Sequence, residues 1–342
     1  MLRTVIQHNL QACTQNLLNF YYAVKPSIPA GIRFALRHYY ALPLKWAAAA
    51  TWPINSASIG VPRDWVGWPG GKRFAFVISH DVEGRKGLQR CRTLAQLEMR
   101  LGFSSSYNFV PEGEYSTPAE LRSYLIENGF EVGVHDLHHD GSLYESRGAF
   151  NQSAVKINRY LDEWKAVGFR SGFMRHELEW ISRLDIRYDA STFDSDPFEP
   201  QPDGVRTIFP FWVLRNDGSA FLELPYTLAQ DSTLFLVLRE KNIDVWKRKL
   251  DWIAEQGGMA FMIAHPDYMA FDEQPSSSEY RAGLYREFLE YVQKQYCETA
   301  WFARPLDVEK YVRQFLPPED LSVTHVHRSR EFDLSSAGKS VM

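Results

Sequence analysis

Two acidic residues follow an apolar run near residue 80, in a pattern that suits catalysis. The run 74–78 leads through two polar residues to Asp81 and Glu83. A short apolar run of this kind indicates a buried parallel strand, and α/β proteins place their chemistry where such strands end. In an extended chain both carboxylates point the same way, and they repel each other unless a cation lies nearby. The pair therefore suggests a metal ligand beside a general base; the simpler alternative is that both acids only solvate the strand end.

Metal-type side chains also follow a second predicted strand, at 130–134. His135 and His139 are four residues apart, so one helical turn would place both imidazoles on one side, as a zinc-type site requires. Two neutral imidazoles and one carboxylate would leave a fourth position for water, and water bound there ionises near neutral pH. His138, three residues from His135, is an alternative ligand. The structural alternative is a surface loop that happens to be rich in histidine.

These two segments resemble the first two motifs of the polysaccharide deacetylases, the NodB-homology group or carbohydrate esterase family 4. Three further segments, 168–173, 188–192 and 261–265, resemble the third, fourth and fifth motifs in the same order. The matches cover about residues 72–315, each at the end of a predicted strand. The resemblance implies a distorted, incomplete (β/α) barrel of the polysaccharide deacetylase type, here with an N-terminal helical extension.

For the metal site, the resemblance implies that Asp81 is the base that activates the attacking water. Glu83, His135 and His139 would hold a divalent metal, with zinc as the first choice. The commoner family pattern has two adjacent Asp residues, but Val82 occupies the second place here, and a hydrophobic side chain cannot bind metal. A variant with wider spacing makes Glu83 the ligand. The alternative is that Asp81 binds the metal and that no separate base exists.

The resemblance also implies roles for residues of the later motifs. Arg170 would pair with Asp81, and the backbone N–H of Phe173 would help to stabilise the oxyanion. His265 would protonate the leaving amine, and Asp189 would orient His265 or shape its pocket. Taken singly, Arg170 is equally typical of a structural ion pair, and His265 of a satisfied core histidine.

Charge and cysteine content exclude several classes of function for this protein. The 342-residue chain has a net charge of only −4, which gives no general case for nucleic-acid binding. Its three cysteines are far apart and form neither a metal spacing nor a disulfide framework, as expected in a reducing compartment. No apolar run is long enough to span a bilayer, and no secretory signal pattern is present. The sequence therefore predicts a cytoplasmic protein.

The N-terminal part of the chain differs in charge from the rest. Residues 1–63 contain six basic and no acidic residues, so they carry +6 and the remainder −10. We predict a basic aromatic helical extension and connector over 1–71, with helices at 1–24 and 32–51, the second ended or kinked at Pro43. This extension either packs on the barrel or a second subunit, or makes a peripheral contact with the inner membrane through 1–63.

The remaining chain alternates strands and helices, which indicates a parallel sheet wrapped by helices. We predict the barrel over 72–316, an insertion at 196–240 that walls a cleft, and a disordered tail over 317–342. The leading functional prediction is a metal-dependent polysaccharide deacetylase that removes an N-acetyl group from an amino sugar in a glycan or its precursor. Because the third motif lacks its usual Pro and the fourth its usual Trp, a metal amidohydrolase acting on a small non-sugar amide is an alternative. A further alternative is a non-catalytic barrel that binds glycans, because Val82 occupies a place where the commoner family pattern has a metal ligand.

Overall fold

The computed structural model describes residues 30–271 and 274–318. The helix predicted at 1–24 and the tail beyond residue 318 lie outside the described residues. Eleven strands are present in the described part of the chain: β1 Phe74–Val82, β2 Ser106–Phe109, β3 Glu131–His135, β4 Gly168–Arg170, β5 Tyr188–Asp189, β6 Phe211–Leu214, β7 Ala220–Glu223, β8 Met259–Ala264, β9 Met269–Ala270, β10 Tyr280–Arg281 and β11 Ala300–Ala303.

The main sheet is built around β1, which is buried at all nine positions. On one side β1 pairs with β8. On the other side its first half pairs with β11 and its second half with β2, and β3, β4 and β5 follow in order. All of these pairs are parallel, so the carboxyl ends of the strands meet at one edge, where parallel α/β sheets hold their functional groups.

The barrel wall includes part of the segment 196–240 that the sequence predicts as an insertion. Strand β7 pairs parallel with β5, and β6 pairs antiparallel with β7. Beyond β7 the chain reaches β8, where the N–H groups of Thr227 and Leu228 donate to the carbonyl of Phe261 at 3.0 and 3.1 Å. This short contact is an isolated bridge and not a continuous strand pair, so the barrel is incomplete on this side. The Pro- and Gly-rich segment therefore supplies two strands as well as loops, because its runs 211–214 and 220–223 are apolar enough to pack against the core.

Helices cover the outside of the sheet. They are α1 Ala30–Ala47, α2 Arg85–Arg100, α3 Ala119–Glu127, α4 Arg147–Trp164, α5 Leu178–Ile181, α6 Asp244–Gln256, α7 Ala282–Tyr296 and α8 Pro305–Phe315. In α4 the apolar residues recur in steps of four and three, and this face is buried, as the period of a helix predicts. Within the described residues, no helix is both long and apolar enough to cross a membrane.

Helix α1 continues past Pro43. The sequence predicts that this residue ends or kinks the helix, and the helix does not end there but runs on to Ala47. Proline removes one main-chain donor, which would have bonded to the carbonyl of Tyr39. Tyr39 and Pro43 are both exposed, so water can bond to that carbonyl. An exposed position thus tolerates a proline that a buried helix face would not.

Candidate active site

Three metal-type side chains meet at the carboxyl edge of the sheet. One ligand atom from each of Glu83, His135 and His139 lies within 4.8 Å of the others. Glu83 follows β1 directly, His135 is the last residue of β3, and His139 lies in the loop that follows. The parallel arrangement of β1 and β3 brings their ends together, as expected from the sequence. Asp81 is not part of this group of three.

The two histidines converge by a different route from the predicted helical turn. His135 remains in the strand, paired with Arg170 of β4, so no helix can begin there. The chain instead bends through Asp136 and His139, whose φ angles of 57° and 55° are left-handed. This bend brings the two imidazole centroids to 4.8 Å. Sequence spacing predicted the proximity correctly, but the strand pairing of β3 replaces the helix.

Hydrogen bonding fixes which nitrogen of His135 faces the centre. Its Nδ1 lies 3.1 Å from the carbonyl oxygen of Arg170. A carbonyl only accepts, so Nδ1 carries the hydrogen and Nε2 is left with a lone pair. Nε2 is buried and has no hydrogen-bond partner among the described residues. Burial lowers the pKa of His135 and outweighs the opposing charge of Asp81, which favours the neutral imidazole that a metal ligand requires.

His138, the alternative ligand, points away from this centre. Its Nδ1 lies 3.1 Å from the main-chain oxygen of Glu112, and its Nε2 lies 3.6 Å from the Glu112 carboxylate. The chain bend therefore separates His138 from the pair formed by His135 and His139. Of the two spacings that the sequence left open, the structure brings together the pair that is four residues apart.

Glu83 is held in place by side chains from the loop after β8. The hydroxyl of Tyr268 donates to Oε2 of Glu83 at 2.5 Å, and the main-chain N–H of Glu83 donates to Asp267 at 2.9 Å. Oε1 of Glu83 lies 3.3 Å from Nε2 of His139. Burial raises the pKa of Glu83, but the charges of His139 and His265 outweigh it and hold the pKa well below its ordinary value. The carboxylate is therefore ionised at neutral pH.

Asp81 lies beside the three-residue group and is buried. Its Oδ1 lies 3.6 Å from Nε of Arg170, the partner that the resemblance implies, and it accepts a hydrogen bond from Asn108 at 3.1 Å. Burial raises the pKa of Asp81, but the charges of Arg170 and His135 outweigh it and hold the pKa below its ordinary value. Sequence reasoning missed Asn108, although a strand register would have found it, because Asn108 lies opposite Asp81 in β2.

His265 is bound by an acid that the sequence reasoning did not single out. Its Nδ1 lies 2.6 Å from Oδ1 of Asp231, and its Nε2 lies 3.8 Å from Oε1 of Glu83. Burial lowers the pKa of His265, but the carboxylates of Asp231 and Glu83 outweigh it and raise the pKa to about 10. The imidazole is therefore a cation at neutral pH, with a proton on the nitrogen that faces the site.

Asp189, for which the resemblance implies a role in orienting His265 or shaping its pocket, makes its contacts elsewhere. It lies opposite Glu223 in the β5–β7 register and accepts a hydrogen bond from Ser191 at 2.7 Å. Burial raises the pKa of both Asp189 and Glu223. The contact with His265 belongs to Asp231 because the chain after β7 closes against β8, the strand that His265 follows, and so brings Asp231 to that end of the barrel.

The main chain near Phe173 has an unusual conformation. Phe173 and Met174 are both left-handed, with φ angles of 56° and 51°. Each such residue costs roughly 1–2 kcal/mol, so surrounding contacts must hold this turn. The ring of Phe173 stacks on His139 with centroids 4.4 Å apart. At the neighbouring Gly172 a Cβ would come within 2.4 Å of the Asp136 carboxylate, so only glycine allows this close approach.

The donor set fits a divalent metal of the zinc type. Zinc sites combine imidazole nitrogens with a carboxylate oxygen, and a catalytic site uses three protein ligands. Here the unpartnered, buried Nε2 of His135 and the ionised carboxylate of Glu83 face one another beside His139. The hydrogen bond that each of these two ligands makes to a neighbouring group is of the kind that orients ligands around a metal.

Comparison with solved structures identifies the fold. A protein from Mycobacterium smegmatis described as a polysaccharide deacetylase superposes with a TM-score of 0.58 at 18% identity, covering 74% of this chain and 95% of that chain. PuuE allantoinase superposes with a TM-score of 0.57 at 16% identity, covering 75% of this chain and 95% of that chain. No protein-family model matches the sequence, and no curated protein matches it either. The chain has the distorted (β/α) barrel of the polysaccharide deacetylase type, and this fold prediction is confirmed.

Proposed function

We propose that the protein is a metal-dependent hydrolase that removes an N-acetyl group from an amino sugar within a glycan or its precursor. The observation that carries the proposal is that the three candidate metal ligands, the carboxylate of Asp81 and the imidazole of His265 lie close together. Oε1 of Glu83 lies 3.3 Å from Nε2 of His139 and 3.8 Å from Nε2 of His265, and Asp81 lies beside them, paired with Arg170. A metal site, an ionised carboxylate and a protonated imidazole are the groups that amide hydrolysis needs.

In the proposed mechanism, Glu83, His135 and His139 hold the divalent cation, with zinc as the first choice. When bound, such a cation polarises a carbonyl and makes water nucleophilic near neutral pH. Asp81 is ionised and accepts the proton of the attacking water, while Arg170 keeps its carboxylate in place.

The second proton transfer in the proposed mechanism involves His265. Its Nε2 carries a proton at neutral pH, because Asp231 stabilises the imidazolium, and we propose that this proton passes to the leaving amine. The backbone N–H of Phe173 is proposed to stabilise the oxyanion of the tetrahedral intermediate. Val82, which raised the alternative of a barrel that had lost its metal ligand, is buried in β1, and Glu83 supplies a carboxylate in its stead.

The direct test is release of acetate from N-acetylated oligosaccharides by the purified protein. We expect release to stop after treatment with a chelator and to return with added zinc. His135→Ala should abolish release, and His138→Ala should retain it, because His138 faces Glu112 rather than the site. Equal loss in both variants, or release that the chelator does not affect, would contradict the proposal.

A second candidate is a metal amidohydrolase that acts on a small non-sugar amide. The observation in its favour is that PuuE allantoinase superposes about as well as the Mycobacterium smegmatis protein, with TM-scores of 0.57 and 0.58. A panel of cyclic amides and ureides, assayed beside N-acetylated oligosaccharides with the same His135→Ala and His138→Ala variants, separates the two candidates. Turnover of the cyclic compounds alone would favour the second.

A further inference from the structure

Helix α1 carries an apolar face that no described part of the chain covers. The face, here called the α1 face, consists of Ile32, Leu36, Tyr39, Tyr40 and Trp46, which are between 53% and 84% exposed. With 3.6 residues per turn these five positions fall on one side of the helix. Six of the thirteen large exposed apolar side chains in the described residues belong to α1, so this concentration is not the scattered exposure that ordinary surfaces show.

The opposite side of α1 is attached to the barrel, which fixes the direction of the α1 face. Phe34 is buried and packs edge-on against Tyr268, with ring centroids 5.6 Å apart. Nδ1 of His38 lies 2.7 Å from the main-chain oxygen of Val237. Ala41, one turn further along, is also buried. Since Phe34 and Ala41 face the barrel, the α1 face points outward.

Basic residues accompany the α1 face. Arg33 borders the apolar stripe on α1, Arg37 lies further round toward the barrel, and residues 1–63 contain no acidic residue. Lys45 lies on the barrel side of α1 and is paired with Glu240 at 2.6 Å. The sequence neighbours of Glu240, Arg239 and Lys241, are both basic and exposed. The charged residues of α1 itself are therefore all basic, and one of them, Lys45, is already paired with an acid.

We propose that the α1 face docks on the surface of an anionic phospholipid bilayer. Aromatic side chains such as Trp46 and Tyr39 favour the boundary between headgroups and acyl chains, and flanking bases are attracted to anionic headgroups. A second copy of this chain suits the face less well, because a symmetric contact would bring together two copies of α1, each with three basic residues and no acidic residue. The Phe34–Tyr268 contact, continued by the hydrogen bond from Tyr268 to Glu83, places the candidate site behind the docked helix.

The test is co-sedimentation of the full chain with lipid vesicles. We expect binding to vesicles of phosphatidylcholine mixed with phosphatidylglycerol, weaker binding to phosphatidylcholine alone, and loss of the difference in 1 M salt. The combined variant Tyr39→Ser, Tyr40→Ser, Trp46→Ser should bind the anionic vesicles at least about tenfold more weakly. The matched control is Ile126→Ser with Val155→Ser, two exposed apolar residues of α3 and α4, and it should bind like the wild type.

Several outcomes would overturn the proposal. They are wild-type binding that does not distinguish anionic from neutral vesicles, an unchanged affinity of the triple variant, or a wild-type dimer that the triple variant dissociates in sedimentation velocity. Thermal unfolding is compared between the triple variant and the wild type, so that a loss of vesicle binding can be told apart from a loss of the fold. The proposal goes beyond the hydrolase function, and acetate release from water-soluble oligosaccharides is measured without lipid. A negative result for vesicle binding therefore does not contradict the hydrolase proposal, and a negative result for acetate release does not contradict membrane docking.

Discussion

Asp231 binds His265 through both of its carboxylate oxygens. Oδ1 lies 2.6 Å from Nδ1 of the imidazole, and Oδ2 accepts the main-chain N–H of His265 at 2.8 Å. The hydroxyl of Tyr280 also donates to Oδ2, at 2.9 Å. Because Nδ1 faces a carboxylate, it carries a proton, and Nε2 is the nitrogen that faces Glu83. One aspartate thus sets both the orientation and the charge of the proposed proton donor.

Asp231→Asn should lower kcat for acetate release by about 10²–10⁴-fold, the range that general acid–base catalysis contributes. The carboxylate raises the pKa of His265 to about 10, so its removal moves that pKa downward. An acid must be protonated to act, and it would now lose its proton at a lower pH. The alkaline limb of the kcat/KM profile should therefore move to lower pH, which assays between pH 6 and 10 would measure.

Asp189→Asn is the control for this prediction. Asp189 faces Glu223 and Ser191 rather than His265, so the alkaline limb should stay where it is in the wild type. If the alkaline limb moved to lower pH in the Asp189 variant, or did not move in the Asp231 variant, the result would indicate that Asp189 and not Asp231 orients His265.

Glu83 and Asp81 should separate metal binding from catalysis. Glu83→Gln should weaken zinc affinity by more than about 100-fold, the upper end of what the loss of a supporting partner costs. Asp81→Asn should keep zinc but lose turnover, because Asp81 is outside the three-residue group and pairs with Arg170. Equilibrium dialysis with zinc and acetate release, measured on both variants, check this prediction. If the Asp81 variant lost zinc and the Glu83 variant retained it, Asp81 and not Glu83 would be the metal ligand.

The main parallel strands and the positions of Asp81 and the two histidines could be predicted from local pattern, and the later-motif residues only from the family resemblance. An apolar run that ends in polar residues marks β1, and the same rule applies to β3, β4 and β8. A parallel sheet gathers the carboxyl ends of its strands, so residues that are distant in sequence meet without any further information. Asp81 and His135 can therefore be placed at one edge of the sheet from residue pattern alone, whereas the role of His265 is implied by the resemblance to the deacetylase motifs.

The parts that were missed depend on contacts between distant segments. Asp231 follows a Pro- and Gly-rich segment with no motif of its own, and only the bridge between Leu228 and Met262 brings it to His265. The left-handed bends at Asp136 and His139 could not be placed from the sequence either, because residues other than glycine adopt this region only occasionally. The N–H of Asp136 donates to the carbonyl of Arg170 at 2.8 Å, a contact between distant segments that the local sequence does not indicate.

Tyr268→Phe should weaken zinc binding without unfolding the protein. The substitution removes the hydroxyl that donates to Oε2 of Glu83 and keeps the ring that packs on Phe34. Loss of a supporting hydrogen bond of this kind typically lowers metal affinity by about 10- to 100-fold, and we expect the zinc affinity of this variant to fall in that range. The control is Tyr296→Phe, whose hydroxyl donates to Asp251 at 2.7 Å on another part of the surface. Equal zinc affinity in the two variants would show that Tyr268 does not support the metal site.

Glu131 should make the stability of the protein depend on pH. This residue begins β3, is buried, and accepts the main-chain N–H of Leu306 at 3.1 Å. Burial raises the pKa of Glu131 from 4.5 to about 8, despite the hydrogen bond from Leu306. The folded state therefore binds more protons than the unfolded state between these two values. The contribution of this group to stability is complete below pH 4.5 and is lost as pH rises through about 8.

Glu131→Gln isolates this contribution, because the amide has a similar shape and does not ionise. The free energy of unfolding, measured with urea from pH 5 to pH 8.5, should fall more steeply for the wild type than for the variant. Other groups titrate in both proteins, so the difference between the two curves is the relevant quantity. Glu127→Gln, at an exposed position near the end of α3, should follow the wild-type curve. Parallel curves for the wild type and Glu131→Gln would mean that burial at the start of β3 does not hold a proton on Glu131.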